Sequence, residues 1–276
     1  AVLGEGCLCG KQQVRTGRIV GGHDAYDGEF PWIVSLRING QHECGGTIVA
    51  KRWIVTAAHC LQRASLRSLR IRVGEYNLYQ AELGHTSQDL VAERFLVHPR
   101  FGSPKRLSND IGLVKLASEV PLSSYAVPAC LPSPGDKRLY AAGKNGTVAG
   151  WGYVRELRLD GTEIGNPNIL QMVQSATAGT VRNGQCHGGV KFEAHCTFSR
   201  LNLAGTLDWC LSHKIASKET CEGDSGGPLM VREGKKYVVI GVVSGGIGCA
   251  RPLLPGLYTR IASYMPWILS HLRNDR

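Results

Sequence analysis

The apolar residues of this chain come in short runs, and that brevity limits what it can fold into more than any other feature. Residues 32–38, 70–73, 111–116, 147–150 and 237–243 are such runs, several of them β-branched, with Gly, Pro, Asn or Asp between them. Runs of this length read as strands. In 32–38 one face carries Trp32, Val34, Leu36 and Ile38 and the other carries Ser35 and Arg37, the period-two pattern of a strand. The 35 glycines supply the turns that many short strands require. Only residues 264–272 look helical, with Ile268 and Leu272 at i, i+4 spacing, and Pro266 fits such a helix only near its first turn. The expected fold is all-β, a barrel or sandwich, with one C-terminal α-helix over about 264–273. No apolar run approaches the ~20 residues needed to cross a bilayer, so no membrane insertion is expected.

With 276 residues and 43% hydrophobic content, the chain can bury a large core in one or two domains. Ten cysteines imply an oxidising compartment, because the cytosol would keep so many thiols reduced. A secreted, extracellular protein is therefore expected. The triplet Asn145-Gly146-Thr147 is a glycosylation acceptor, which agrees. The chain opens at Ala1 without a leader, so a processed form is expected. The net charge of +10 permits polyanion binding. The basic residues are scattered in short clusters, such as 63–72 and Lys105-Arg106, without a nucleic-acid motif. A solvated basic surface is the simpler reading, and no nucleic-acid partner is expected.

Three motifs carry chemistry. In Gly223-Asp224-Ser225-Gly226-Gly227-Pro228 a serine sits among glycines that admit substrate closely and leave backbone N–H groups free to hold an oxyanion. A serine hydroxyl needs an adjacent base to act as a nucleophile. Thr56-Ala57-Ala58-His59-Cys60 offers an imidazole. Asn109-Asp110-Ile111-Gly112-Leu113 sets a carboxylate before an apolar strand, where it must find donors, and an imidazole N–H is a suitable one. A polar stretch ending in Arg18, followed by Ile19-Val20-Gly21-Gly22, reads as a processing site.

From Ile19 to about Asn274 the chain resembles the trypsin/chymotrypsin family of serine proteases. The resemblance is carried by 19–22, 31–36, 44–46, 53–60, 110–113, 150–152, the Ser225 segment, 244–249 and 255–260, with the triad residues in the order His, Asp, Ser. It implies a pro-segment over 1–18 and a protease domain over 19–276. The domain would hold two six-stranded antiparallel β-barrels, at about 30–130 and about 131–262. It also implies His59 as general base, Asp110 as its orienter, Ser225 as nucleophile, and an oxyanion hole from the N–H groups of Gly223 and Ser225. Cleavage after Arg18 would free the Ile19 amine to pair with Asp224, which His42 and Ser35 would hold beforehand. His42 is also readable as a plain core histidine.

The same resemblance puts Glu219 at the floor of the specificity pocket, followed by Thr220, with Ser244 and Gly245 leading into Gly246 on one wall, Gly256 on the other and Glu222 at the rim. Glu219 departs from the usual Asp: it favours Lys or Arg by charge, yet its extra methylene shortens the pocket, and a Glu turned aside would leave an apolar slot. Gly245 departs from the usual Trp and should loosen the outer subsites. The family pattern pairs Cys44 with Cys60, Cys221 with Cys249, and Cys210 with Cys186 or Cys196. Cys130 would tether the pro-segment through Cys7 or Cys9. Cys7-Leu8-Cys9 has no histidines at metal spacing, so no metal centre is expected there. Glu75 and Glu82 lie in a loop that binds Ca²⁺ in some relatives, against the reading of a solvated loop. The expected partners are protein or peptide substrates, an upstream trypsin-like activator and protein protease inhibitors, with the chain itself a monomer. Two alternatives stand beside the enzyme: a weak or inactive homologue acting as a binding protein, and a polyanion binder.

Overall fold

The computed structural model describes residues 9–12, 23–80, 87–104, 106–140, 146–152, 171–175, 178–182, 185–187, 209–211, 223–245 and 256–273. After the two-residue strand β1 (His23–Asp24), six strands build the first half. They are β2 (Ile33–Ile38), β3 (Gln41–Ala50), β4 (Trp53–Thr56), β5 (Leu69–Val73), β6 (Gln88–Val97) and β7 (Gly112–Leu116). A short helix, α1 (Ala58–Gln62), follows β4. Antiparallel pairing closes them in the order β2-β3-β4-β7-β6-β5, with β5 returning to β2. The alternation read in 32–38 does not appear in burial: Trp32, Ile33, Val34 and Leu36 all lie in the core, while Arg37 and Ile38 are both half-buried. Ser35, on the other face, is equally buried, because that face turns toward the second half of the molecule and the Ser35 hydroxyl meets His42.

The second half is a nine-stranded sheet, ordered β1-β9-β8-β13-β14-β15-β12-β10-β11. Its strands are β8 (Gly146–Gly150), β9 (Gln171–Ser175), β10 (Ala178–Arg182), β11 (Gln185–His187), β12 (Trp209–Leu211), β13 (Pro228–Glu233), β14 (Lys236–Gly245) and β15 (Gly256–Arg260). β9 ends at Ser175 and β10 begins at Ala178, yet they lie near opposite ends of this order. A sheet whose two ends are joined by so little chain must curl upon itself. This curled sheet stands where the second barrel is expected, with β8, β9, β10, β12, β15, β14 and β13 between the end strands β1 and β11.

The seam between the halves is apolar and carries Trp32. Its indole N–H donates to the Met230 sulfur at 2.9 Å, and Phe30 meets Trp32 and Tyr237 edge-on, at 6.0 and 5.9 Å between ring centres. Burying side chains of this size stabilises by roughly 1.5–3 kcal/mol each, so the seam holds the two halves as one body.

The C-terminal helix α2 (Ile261–Arg273) starts earlier than expected and takes Pro266 into its interior instead of its first turn. Pro inside a helix costs about 3 kcal/mol. Ile261, Ala262, Tyr264, Met265, Ile268 and Leu269 are all buried, and that packing offsets the cost. The Ala262 N–H donates to the Tyr140 hydroxyl at 3.1 Å.

Residues 9–12 are fixed to the body of the protein. Cys9 is disulfide-bonded to Cys130. Gly10 donates to the Pro128 carbonyl at 2.8 Å and accepts from the Tyr237 N–H at 2.7 Å. Gly10 has φ +62, and a Cβ there would collide with the Tyr237 carbonyl, so only glycine fits.

Candidate active site

Asp110 ends the turn before β7 and has no exposed surface. Its carboxylate accepts from His59 Nδ1 at 2.7 Å and from the His59 backbone N–H at 2.9 Å. From the second barrel, the Ser244 hydroxyl donates to the same carboxylate at 2.6 Å and the Thr259 hydroxyl to the Asp110 carbonyl at 2.7 Å. A carboxylate can only accept, so His59 Nδ1 carries the proton. In the neutral tautomer that this bond selects, Nε2 is the nitrogen with the lone pair that a general base needs.

Ser225 follows Gly223 and Asp224 in a turn entered with φ +93 at Gly223 and left with φ +82 at Gly226. The turn is pinned to the first barrel: the Gly45 N–H donates to the Ser225 carbonyl at 2.7 Å, and a Cβ on Gly226 would strike the Thr56 hydroxyl and the Gly45 carbonyl. Ser225, His59 and Gly223 face one cavity of about 460 Å³, with His42, Leu78 and Tyr79 among its other walls. His59 Nε2 lies 3.7 Å from Cys60 Sγ, and among the described residues no hydrogen bond joins it to the Ser225 hydroxyl. Such contacts are often loose before substrate binds.

A family model described as Trypsin matches residues 19–268. The chain belongs to the trypsin family of serine proteases. It is 33% identical to Ovochymase-2 of Mus musculus over 268 residues, covering 93% of this chain and 41% of that protein. It is 35% identical to Serine proteinase stubble of Drosophila melanogaster, covering 93% of this chain and 31% of that protein. Transmembrane protease serine 9 of Rattus norvegicus is 35% identical, with coverages of 95% and 23%. The chain thus spans less than half the length of these relatives. Among the described residues no helix is long and apolar enough to cross a membrane.

Within this trypsin-family site, His42 links Ser35 to the Ser225 turn. Its Nδ1 lies 2.8 Å from the Ser35 hydroxyl and its Nε2 2.9 Å from the Gly223 carbonyl. The carbonyl only accepts, so Nε2 carries the proton and Nδ1 accepts from Ser35. Burial pushes the His42 pKa down to about 4, with Arg37 lowering it further and the Gly223 bond opposing. Asp224, also buried, accepts from the Gly152 N–H at 2.8 Å. In this conformation His42 bonds Ser35 and Gly223, not Asp224. The sequence singled out His42 and Ser35, but not the carbonyl that they hold.

Of the residues expected to line a specificity pocket, those described are Ser244 and Gly245 at the end of β14 and the backbone of Gly256, opposite Leu211. A Cβ on Gly245 would meet Leu107 at 3.4 Å, so a first-barrel leucine borders the space that the glycine leaves. Glu219, Thr220, Glu222 and Gly246 lie outside the described residues, as do Arg18, Ile19, Glu82, Asn145, Cys7, Cys196, Cys221 and Cys249. Cys44 and Cys60 are disulfide-bonded, as the family pattern implies. Their sulfurs and His59 lie within 4.8 Å of one another, but disulfide sulfurs are not metal ligands. Cys186 pairs with Val181 and Cys210 with Gly179 across opposite edges of β10. Two strand spacings are roughly 10 Å, beyond the Cα span of a disulfide.

The calcium reading meets a filled site. The Glu75 side chain is buried, its carboxylate lies 3.2 Å from an Arg72 nitrogen and 4.0 Å from Arg37, and Arg72 also grips Asp89 at 2.7 and 2.8 Å. A dication beside two guanidinium groups would be repelled, so Glu75 as placed does not fit Ca²⁺, while Glu82 lies outside the described residues.

Proposed function

We propose that the chain is a secreted serine endopeptidase, cleaved after Arg18 for activation, that hydrolyses peptide bonds through Ser225, His59 and Asp110. The observation that carries this reading is that His59, bonded to the buried Asp110 at 2.7 Å, faces the cavity that Ser225 and Gly223 also line. Ser225 attacks the scissile carbonyl while Nε2 of His59 takes its proton. Asp110 stabilises the imidazolium, and the N–H groups of Gly223 and Ser225 receive the oxyanion. The leaving amine takes the proton from His59, and water then releases the acyl group from Ser225 by the same route.

Glu219 at the pocket floor directs cleavage after Lys or Arg. The new Ile19 amine pairs with Asp224; the buried carboxylate against Gly150 and Gly152 and the Cys9–Cys130 link support a precursor whose short chain stays attached after cutting. An upstream trypsin-like protease performs that cut, and protein inhibitors and protein substrates share the cleft. Ile19→Gly should leave a cleaved but weakly active enzyme; full activity would refute the pairing.

The deciding experiment treats the Arg18-cleaved protein with a fluorophosphonate probe and a peptide library. Labelling lost in Ser225→Ala, with cuts after Lys or Arg, is expected. No labelling of cleaved wild type would leave the inactive homologue as the answer. Cuts after Phe or Leu alone would overturn the pocket reading.

A further inference from the structure

Asp110 follows a residue under strain. Asn109 has φ +56, in the left-handed region that residues with a Cβ adopt only at a cost. This turn redirects the chain so that the next carboxylate points inward, and the Asn109 side chain holds it. Its amide nitrogen donates to the carbonyls of Arg100 and Ser103, both at 2.8 Å, and its Oδ1 accepts from the Tyr264 hydroxyl at 3.1 Å. Asn109 is 3% exposed, so water is a poor substitute for any of these bonds.

Tyr264 belongs to α2, at the far end of the sequence. Its ring packs edge-on against His98 at 5.2 Å, and His98 packs against Trp267 of the same helix at 5.1 Å. The helix therefore grips both ends of the 98–109 loop: the rings hold His98, and the hydroxyl holds Asn109.

We propose that Tyr264 is a positioning residue for Asp110, acting through Asn109, so that the C-terminal helix sets the geometry of the His59–Asp110 pair. The proposal rests on reading Asp110 as the orienter of His59. Without the Tyr264 hydroxyl, Asn109 Oδ1 loses its donor from α2 and the left-handed turn relaxes. The carboxylate then shifts relative to His59 Nδ1, and small displacements there are felt in proton transfer.

The test compares the cleaved wild type with Tyr264→Phe, Asn109→Gly and the double variant. Glycine accepts the left-handed turn but has no side chain for the helix to hold. Turnover is counted per active site titrated by the fluorophosphonate, which removes any loss from misfolding. The expected result for Tyr264→Phe is a kcat lower by about tenfold with KM unchanged, the loss from one weakened buried hydrogen bond. The downfield proton NMR signal of His59 Nδ1–H should shift or broaden, and the double variant should be no worse than Asn109→Gly. Wild-type kcat with an unaltered signal in Tyr264→Phe would overturn the proposal, as would losses that multiply in the double variant. If wild type proves unreactive to the probe, the proposed function fails, while the His59 signal still decides the role of Tyr264.

Discussion

Ser244 donates its hydroxyl to the Asp110 carboxylate at 2.6 Å, tying a first-barrel acid to a second-barrel strand. The same oxygen, Oδ2, accepts the hydrogen bond from His59 Nδ1, so the carboxylate beside the imidazole is itself held from the opposite half of the molecule. Ser244→Ala should lower kcat by about tenfold with little change in KM, the effect of losing one hydrogen bond to a buried charge. Steady-state kinetics of the cleaved protein measure it; an unchanged kcat would mean that His59 alone fixes the carboxylate.

His42 gives the protein an acid-sensitive element. Its pKa falls from the ordinary 6.5 to about 4 on folding, so between those values the unfolded chain binds the extra proton. The sign follows: this contribution to stability is complete above about pH 6.5 and is lost as pH falls toward 4. The loss should be on the order of 2 kcal/mol, less than the full shift because part of the ring reaches solvent. Urea unfolding at pH 7 and pH 4.5 should show His42→Gln losing less stability than wild type over that interval. Equal losses would remove His42 from the account.

Gly226→Ala should damage both stability and reactivity. The backbone there has φ +82, and the added methyl would meet the Thr56 hydroxyl and the Gly45 carbonyl. The strain alone is of order 1–3 kcal/mol, and the collision forces the Ser225 turn off the first barrel. A lower melting temperature together with slower fluorophosphonate labelling is the expected outcome. A melting temperature equal to wild type would contradict the close approach.

Calcium should not stabilise this protein. Arg72 and Arg37 together already balance the charges of Glu75 and Asp89, so chelator and millimolar Ca²⁺ should give the same thermal unfolding curve. A rise in melting temperature with Ca²⁺ would show that the loop binds the ion elsewhere.

Much of this site was legible in the residues. The Gly-Asp-Ser-Gly-Gly-Pro segment announces itself because a nucleophile among glycines needs a special backbone, and φ values of +93 and +82 at Gly223 and Gly226 are that requirement met. The expected strands appear, several extended by a residue or two where ladder pairing continues past the apolar run, as with Lys236–Gly245. Thr259, Asn109 and Tyr264 gave no signal, because a hydroxyl or amide far along the chain has no local pattern that marks what it will bond. Pro266 misled for the opposite reason: its local preference is strong, and buried neighbours overrode it.

The sequence by itself determined the strand-rich architecture, the family and which three side chains are the candidates for the reaction, since these depend on short-range pattern and motif. Tertiary structure alone decided that Asp110 is held by Ser244 and Thr259 from the other barrel, that His42 grips the Gly223 carbonyl, and that Arg72 fills the loop around Glu75. Each of those bonds joins groups distant in the chain or sharing one loop with other donors. Which partner wins is set by the packing of whole barrels, a quantity that no local stretch of residues contains.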